Sequence, residues 1–134
     1  MKGAKFMNET VKGLSEGKVV YIDQDLAVTE LEWHPHPSFT GVFLKHLVKG
    51  DTSDGKFSCH LIRIKDGFEI GEHVHDDKME FINILGGVGQ GEIAGKKFVC
   101  ELGVSMVVPE KIKHRIAAGS GDVYLLAKFI PALL

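Results

Sequence analysis

The sequence from residue 18 onward is a succession of short segments rich in β-branched, aliphatic and aromatic residues, each ended by turn-forming residues. Roughly nine or ten such segments recur at about 8–12-residue spacing, which is typical of an all-β sandwich or barrel. No long stretch has the apolar period of an amphipathic helix. The candidate strands are residues 18–22, 40–48, 57–64, 68–75, 79–85, 92–95, 96–102, 105–109, 113–118 and 122–130.

The connections between these segments predict antiparallel sheets. Parallel neighbours need crossover connections of about a dozen residues or more, usually helices, and no segment here can supply several of them. The 16 glycines fit a fold with many tight turns. No proline occurs between Pro37 and Pro109, which suits uninterrupted ladder pairing.

Residues 1–17 are polar and weakly patterned, and they contain the one candidate helix. Asn8 is a suitable N-cap for a short helix that begins near Thr10. A chain of 134 residues has the length of one ordinary domain and is too short for two independent cores. We therefore divide the chain into an N-terminal segment, 1–17, and a single barrel domain, 18–134.

Charge and cysteine content bound the surroundings and partners of the protein. A net charge of -2 gives no electrostatic basis for binding nucleic acid or an anionic membrane surface. The charged N-terminus lacks the apolar core of a secretory signal, and the longest apolar stretches are too short to span a bilayer. Cys59 and Cys100 are interpreted as buried free thiols, because a large reduced core needs no disulfide. These features predict a cytoplasmic protein whose partner is a small molecule.

Two histidines have the spacing of metal ligands on a strand. His73 and His75 are two residues apart on a candidate strand, so both side chains point to the same face. Their backbone positions are roughly 6–7 Å apart. That separation suits two imidazole nitrogens on one ion about 2 Å from each. Taken alone, however, a His-x-His pair on a strand is more often polar decoration than a metal site.

A glutamate and a third histidine extend the pattern. Glu80 follows the polar corner at 76–78 and, if that corner reverses the chain, returns on the neighbouring strand beside the two histidines. It interrupts the apolar segment MEFINIL, and a buried carboxylate is costly unless a cation pairs with it. His114 follows Pro109 at the start of another strand. By themselves, Glu80 is commonly a solvated residue and His114 a loop histidine. Together, the three histidines and Glu80 suit Fe(II), Mn(II), Ni(II), Cu(II) or Zn(II).

The residues around this pattern resemble the two motifs of the cupin superfamily, and both motifs lie within residues 67–118. In the first motif, a glycine is followed by His-x-His, a glutamate and a second glycine. With the four-residue spacer before the glutamate, these positions are matched by Gly67, His73, His75, Glu80 and Gly87.

The second cupin motif is matched by Gly103, Pro109 and His114. Lys111 stands where the motif usually has a glycine, and Ala118 where it usually has an asparagine. Neither departure removes a ligand. Lys111 does bear on the turn before His114, because glycine often serves a left-handed turn there.

The resemblance implies an antiparallel jelly-roll β-barrel with an apolar and aromatic pocket. It implies one divalent transition metal held inside by His73, His75, Glu80 and His114, with Glu80 also a candidate base. It implies a homodimer, since cupins are commonly dimeric. The activities it suggests are those of a metal-dependent dioxygenase, isomerase or decarboxylase acting on a small polar molecule. A non-catalytic metal-dependent binding or sensing module is the alternative, because fold alone does not fix function.

The direction of His60 on its strand is left open by the sequence. If His60 faces into the barrel, so do Ile62 and Ile64, and an all-apolar inner face favours this arrangement. His60 is then either a residue of the substrate pocket or a core histidine bonded to the backbone. His46, on the preceding candidate strand, is expected at the surface.

Three further features have simpler interpretations. His34 and His36 form a second His-x-His pair, but the prolines between and after them favour an extended loop over a strand. Lys111, Lys113 and Arg115, which surround His114, are interpreted as solvated loop residues rather than as a site that attracts an anionic substrate to the pocket mouth. The apolar end of the chain, 130–134, is expected to be either a lid on the barrel or a subunit contact.

Overall fold

Two antiparallel β-sheets face each other in the computed structural model, which describes residues 8–134. The elements are, in chain order, helix α1 (Glu9–Ser15) and strands β1 (Lys18–Val20), β2 (Asp25–Ala27), β3 (His34–Pro35), β4 (Val42–Val48), β5 (Ser58–Ile64), β6 (Glu69–His73), β7 (Met79–Gly86), β8 (Gly89–Ile93), β9 (Lys96–Cys100), β10 (Ser105–Val108), β11 (His114–Ala118) and β12 (Val123–Ile130). One sheet has the order β10-β7-β12-β5-β4-β3 and the other the order β6-β11-β8-β9, while β1 and β2 form a separate ribbon. Short 3-10 turns lie at Val28–Glu30 and Gly50–Thr52.

From β5 onward the chain passes repeatedly between the two sheets, and this wrap is a jelly roll. The strand pairs within both sheets are antiparallel. Inward-facing aliphatic side chains from both sheets form the main core, and they include Ile64, Ile84, Ile116 and Leu125. The all-β, antiparallel prediction is therefore confirmed. No helix within residues 8–134 is long and apolar enough to cross a membrane.

The polar corner at 76–78 does not reverse the chain into a hairpin, contrary to expectation. β6 belongs to the four-stranded sheet and β7 to the six-stranded sheet. Glu80 therefore approaches His73 from the opposite sheet, not from a neighbouring strand. The reason is that β6 pairs with β11, and β7 with β10 and β12, all distant in sequence. β6 also ends at His73, so His75 lies just beyond the strand.

The predicted N-terminal helix begins at the residue after Asn8, which caps it. The side-chain oxygen of Asn8 accepts a hydrogen bond from the Val11 backbone N–H at 2.7 Å, and its amide donates to the Leu85 carbonyl oxygen at 2.9 Å. Val11 packs closely on Gly86, where a Cβ atom would come within 2.7 Å of Val11 Cγ2. The helix is thus tied to the end of β7. The division at residue 17 stays a prediction.

Strand β5 is buried on both faces. His60 and Ile62 face the interior between the sheets, whereas Cys59 and Leu61 face a second apolar cluster outside it. That outer cluster also contains Val28, Leu47 and the partly buried Trp33. Both cysteines of the chain, Cys59 and Cys100, are buried and free, as the sequence predicts.

Candidate metal centre

Four side chains from both sheets converge between the sheets, and we call this group the His/Glu cluster. Its members are His73, His75, Glu80 and His114. His73 at the end of β6 lies opposite His114 at the start of β11 in the strand pairing, and Glu80 reaches them from β7. One potential ligand atom from each residue lies within 4.8 Å of the others. The structure therefore brings together all four residues that the sequence singled out.

The carboxylate of Glu80 makes the closest contacts in the cluster. Its Oε1 atom lies 3.1 Å from His114 Nε2 and 3.5 Å from His75 Nε2. Glu80 is 5% exposed and His114 2% exposed, whereas His73 and His75 are half-buried. A carboxylate buried this deeply needs a positive partner, because its desolvation is otherwise uncompensated.

Backbone carbonyl groups orient two of the imidazoles. The Nδ1 atom of His73 donates to the Gly71 oxygen at 2.8 Å, and that of His114 donates to the Ile112 oxygen at 3.0 Å. A carbonyl oxygen only accepts, so both Nδ1 atoms carry a proton and Nε2 is left as the ligand atom. The Nε2 atom of His75 is buried and has no hydrogen-bond partner within the described chain. These nitrogen atoms and the Glu80 carboxylate fit a divalent transition metal ion.

The same contacts determine the charges of the cluster when no metal is bound. Burial alone raises the pKa of Glu80, but the hydrogen bond with His114, the close approach of His75 and the charges of both outweigh it and hold the pKa below its ordinary value. Burial lowers the pKa of His114, but hydrogen bonds to Glu80 and to the Ile112 carbonyl raise it above the ordinary value. Because Nδ1 of His114 already donates, Nε2 can contact a carboxylate oxygen at 3.1 Å only with a second proton. A proton thus occupies the position that a cation would take.

The turn before His114 keeps a left-handed residue although Lys111 replaces the usual glycine. Lys111 has a φ of 66°, which costs a non-glycine residue roughly 1–2 kcal/mol. Its backbone N–H donates to the His75 carbonyl oxygen at 2.8 Å. This hydrogen bond joins the two segments that carry His75 and His114. Ala118, the other departure from the motif, packs against the main core.

A cavity of about 540 Å³ opens beside the His/Glu cluster. Much of its wall is apolar and includes Leu44, Ile62, Ile82 and Phe129. Its volume is within the range that holds a small organic molecule. Leu133 and Leu134 also line the cavity, in agreement with the lid that the sequence offered as one alternative, and the subunit contact stays a prediction.

Three histidines outside the motifs line the same cavity, which the sequence did not indicate. His46, expected at the surface, is half-buried on β4 and lies opposite His60 in the strand pairing. The signal for this was its two-residue spacing from Leu44, which places both side chains on one face. His34 and His36 are the other two. The expected loop is wrong for His34 and Pro35, which pair with β4 at the sheet edge, where a proline is tolerated.

His60 lies close to the cavity and Arg115 lines it, and both side chains make hydrogen bonds within the protein. The His60 ring packs edge-on against Phe129 at 5.7 Å between centroids and is fully buried. Its role in substrate contact stays a prediction. The Arg115 guanidinium donates to Glu69 Oε1 at 2.7 Å and 3.1 Å, and Lys113 is exposed. Lys111 and Lys113 are thus exposed, as interpreted from the sequence, whereas Arg115 is half-buried and lines the cavity.

The comparisons with known proteins identify the fold. No protein-family model matches the sequence, and none of the curated proteins matches it. Among solved structures, a predicted oxalate decarboxylase from Thermotoga maritima matches with a TM-score of 0.71 and 23% identity, over 77% of this chain and 95% of that one. KdgF from Halomonas sp. matches with a TM-score of 0.68 and 18% identity, over 77% and 90%. An RmlC-like cupin from Shewanella frigidimarina matches with a TM-score of 0.67 and 19% identity, over 78% and 87%. The chain therefore has the cupin fold, as its two motifs predict.

Proposed function

We propose that this protein is a metal-dependent enzyme, in which the His/Glu cluster holds one divalent transition metal ion and the adjoining cavity holds a small-molecule substrate. The observation that carries the proposal is the buried Glu80 carboxylate among three imidazoles. The buried Nε2 atom of one of them, His75, has no hydrogen-bond partner among residues 8–134. A cluster kept only for stability is expected to satisfy that nitrogen, because a buried unpaired polar atom costs about 1–3 kcal/mol. Fe, Mn, Ni, Cu and Zn ions all suit this ligand set.

When bound, such an ion supplies Lewis acidity and coordination positions for substrate oxygen atoms. The chain itself supplies orientation, exclusion of water and a proton acceptor. The carbonyl groups of Gly71 and Ile112 fix two of the imidazoles, and the apolar wall keeps water away from the substrate. The contacts of the Glu80 carboxylate with His75 and His114 are made through Oε1, and Oε2 is the oxygen we assign to the base. Dioxygenase, isomerase and decarboxylase reactions are compatible with these parts, and one similar structure is a predicted oxalate decarboxylase.

The second candidate is a metal-dependent binding or sensing module without turnover. Glu80 has the one side-chain carboxylate that lines the cavity within residues 8–134. If both of its oxygen atoms serve the metal, no second carboxylate is at hand for proton transfer. A pocket of this kind is suited to holding a ligand, and only a measurement of turnover separates the two functions.

Metal content tests the centre. We expect purified native protein to bind about one ion per chain, and the His73→Ala/His75→Ala double variant to bind it at least tenfold more weakly. The matched control is His34→Ala/His36→Ala, which removes the other His-x-His pair from the wall of the same cavity and should retain full metal. Full metal content in the first double variant would exclude the proposed site.

Turnover separates enzyme from binding module. The Fe(II)-loaded protein is incubated with a panel of diols, thiols and hydroxy acids, while oxygen consumption and product formation are measured. The enzyme is supported by turnover that Glu80→Gln abolishes. Tight binding of one panel member, with no turnover of any of them, favours the binding module instead.

A further inference from the structure

Three polar side chains form a continuous hydrogen-bonded chain on the inner face of the six-stranded sheet. Ser58 Oγ lies 2.9 Å from His60 Nε2, and His60 Nδ1 lies 2.8 Å from His46 Nδ1. Ser58 and His60 are fully buried, whereas His46 is half-buried and lines the cavity. At the buried end, the backbone N–H of Leu133 donates to Ser58 Oγ at 2.8 Å.

One arrangement of protons satisfies all the buried groups of this chain. Ser58 Oγ already accepts from Leu133, so its own O–H group needs an acceptor, and His60 Nε2 is within reach. His60 then carries its proton on Nδ1 and donates to His46 Nδ1. In the opposite arrangement His60 donates to Ser58, and the buried Ser58 O–H group has no acceptor among residues 8–134, which costs about 1–3 kcal/mol.

The pKa of His60 is consistent with a single proton on the ring. Burial, followed by the charge of His46, lowers the pKa of His60 to about 4. His60 is therefore neutral at physiological pH and has one ring proton to place. The hydrogen bond of Ser58 decides that this proton lies on Nδ1.

The tautomer of His60 determines the tautomer of His46, which lines the cavity. Because its Nδ1 atom accepts from His60, a neutral His46 carries its proton on Nε2. This Nε2 atom has no hydrogen-bond partner among residues 8–134, and the His46 ring lines the cavity as well as a smaller pocket of about 280 Å³. The ring is held by stacking on His34, with centroids 4.8 Å apart and 12° between the planes. His46 thus presents a fixed N–H donor.

His46 and the His/Glu cluster lie on different sides of the cavity. Glu80 is on β7 and His46 on β4, three strands further along the sheet and offset by two residues in register, so their backbones are about 16 Å apart at ~4.8 Å per strand and ~3.3 Å per residue. Between them the inner face carries the small Ala127 and the large ring of Phe129, which packs against both His75 and the buried His60. A molecule that reaches from the cluster to His46 therefore needs an apolar middle.

We propose that His46 is a second anchor of the cavity, a hydrogen-bond donor for an oxygen atom at the end of the substrate remote from the His/Glu cluster. The substrate class is then a small molecule with an oxygen ligand such as a carboxylate at one end, an apolar middle, and a carbonyl, ether or hydroxyl oxygen at the other. The metal-binding end of this description rests on the proposed function. The tautomers assigned to His46 and His60 are independent of the proposed function.

The first test is spectroscopic and needs no substrate. Protein with isotope-labelled histidine, both metal-free and Zn(II)-loaded, is examined by long-range proton–nitrogen correlation NMR, which separates protonated from unprotonated ring nitrogens. The signals are assigned with the His46→Gln and His60→Gln variants. We expect the Nδ1–H tautomer for His60 and the Nε2–H tautomer for His46. Finding His60 with its proton on Nε2 overturns the proposal.

The second test measures recognition by the Zn(II)-loaded protein. The probes are straight-chain carboxylates of increasing length, each used as the plain acid and as the acid with a terminal methyl ketone. At the length that reaches His46, calorimetry should show about fivefold tighter binding of the ketone, since one net hydrogen bond contributes ~1 kcal/mol. His46→Phe should lose this preference, while His46→Gln, which keeps an N–H donor, should retain it. His36→Phe is the control from the same cavity wall and should also retain it.

Three results of the second test contradict the proposal. These are equal binding of ketone and plain acid at every length, a ketone preference that survives in His46→Phe, and no ketone binding at all by protein that holds Zn(II). Failure to bind Zn(II) contradicts the proposed function instead. In that case the NMR measurement on metal-free protein still decides whether Ser58 and His60 fix the tautomer of His46.

Discussion

Glu80 and His114 stand on strands of opposite sheets, and Glu80 Oε1 meets His114 Nε2 at 3.1 Å between them. Both side chains are buried, so little solvent screens the contact. The carboxylate is an acceptor only, and the other nitrogen of His114 already donates to a backbone carbonyl. The contact therefore requires either an extra proton or a cation. In the folded barrel, one or the other must neutralise the negative charge of Glu80.

Glu80→Gln removes the anionic ligand while keeping the size of the side chain. We expect its affinity for Zn(II) to fall at least tenfold, because a neutral amide oxygen binds a transition metal ion much more weakly than a carboxylate. Competition with a chelator of known affinity measures the change. Glu72→Gln is the control, because Glu72 is exposed and precedes His73 on the same strand. Equal affinity of the two variants would argue against Glu80 as a ligand.

His60 should make the metal-free fold sensitive to acid. Burial, and secondly the charge of His46, lower its pKa from 6.5 to about 4, whereas the pKa returns to its ordinary value on unfolding. As the pH falls, the unfolded state therefore binds the proton first. The contribution to stability is complete above pH 6.5 and is lost progressively toward pH 4. The loss over this range is roughly 3 kcal/mol.

Urea unfolding of chelator-treated protein across that pH range checks the prediction. His60→Gln keeps a polar side chain at the position but does not titrate. The native protein should lose roughly 3 kcal/mol more stability than this variant as the pH falls. If the two curves fall in parallel, His60 is not held neutral by burial.

The strands and the ligand set could be predicted because both depend on local spacing. The segments at 40–48, 79–85 and 122–130 match observed strands to within about two residues. Side chains alternate between the two faces of a strand, and this alternation is visible in the order of the residues. The sheet to which Glu80 belongs could not be predicted. It depends on the pairing of β6 with β11 and of β7 with β10 and β12, and no local pattern encodes these long-range partners.

His46 and Ser58 show a second limit of sequence reasoning. Strand β4 is largely buried on both faces, so alternation of polar and apolar residues does not reveal which side of it faces the cavity. The role of Ser58 depends on Leu133, which lies 75 residues away and folds back onto it. Contacts of this kind are visible only once the end of the chain is in place.

Lys111→Gly should stabilise the protein. Lysine at a φ of 66° is strained, and relief of the strain outweighs the greater chain entropy of an unfolded glycine, for a net gain of roughly 0.5–1 kcal/mol. Lys113→Gly, at an exposed position without a positive φ, should lower stability by about 0.5–1 kcal/mol. Urea unfolding compares the two variants. A loss of stability in both would mean that the lysine side chain, rather than the backbone, dominates at position 111.

The two thiols should be protected from modification for as long as the barrel stays folded. Burial raises the pKa of Cys100 to about 11, and burial also raises the pKa of Cys59 despite the nearby charge of Lys128. The thiolate is the reactive form, so both residues should react with a disulfide reagent at mildly alkaline pH far more slowly than a free thiol. Cys59 is 8% exposed and Cys100 0%, so Cys59 should react first.

The reaction kinetics of the Cys59→Ser and Cys100→Ser variants, each with a single remaining thiol, separate the two rates. Unfolding in guanidinium should make both thiols react rapidly. Rapid labelling of Cys100 in folded protein would mean that the sheet containing β9 opens locally, without global unfolding.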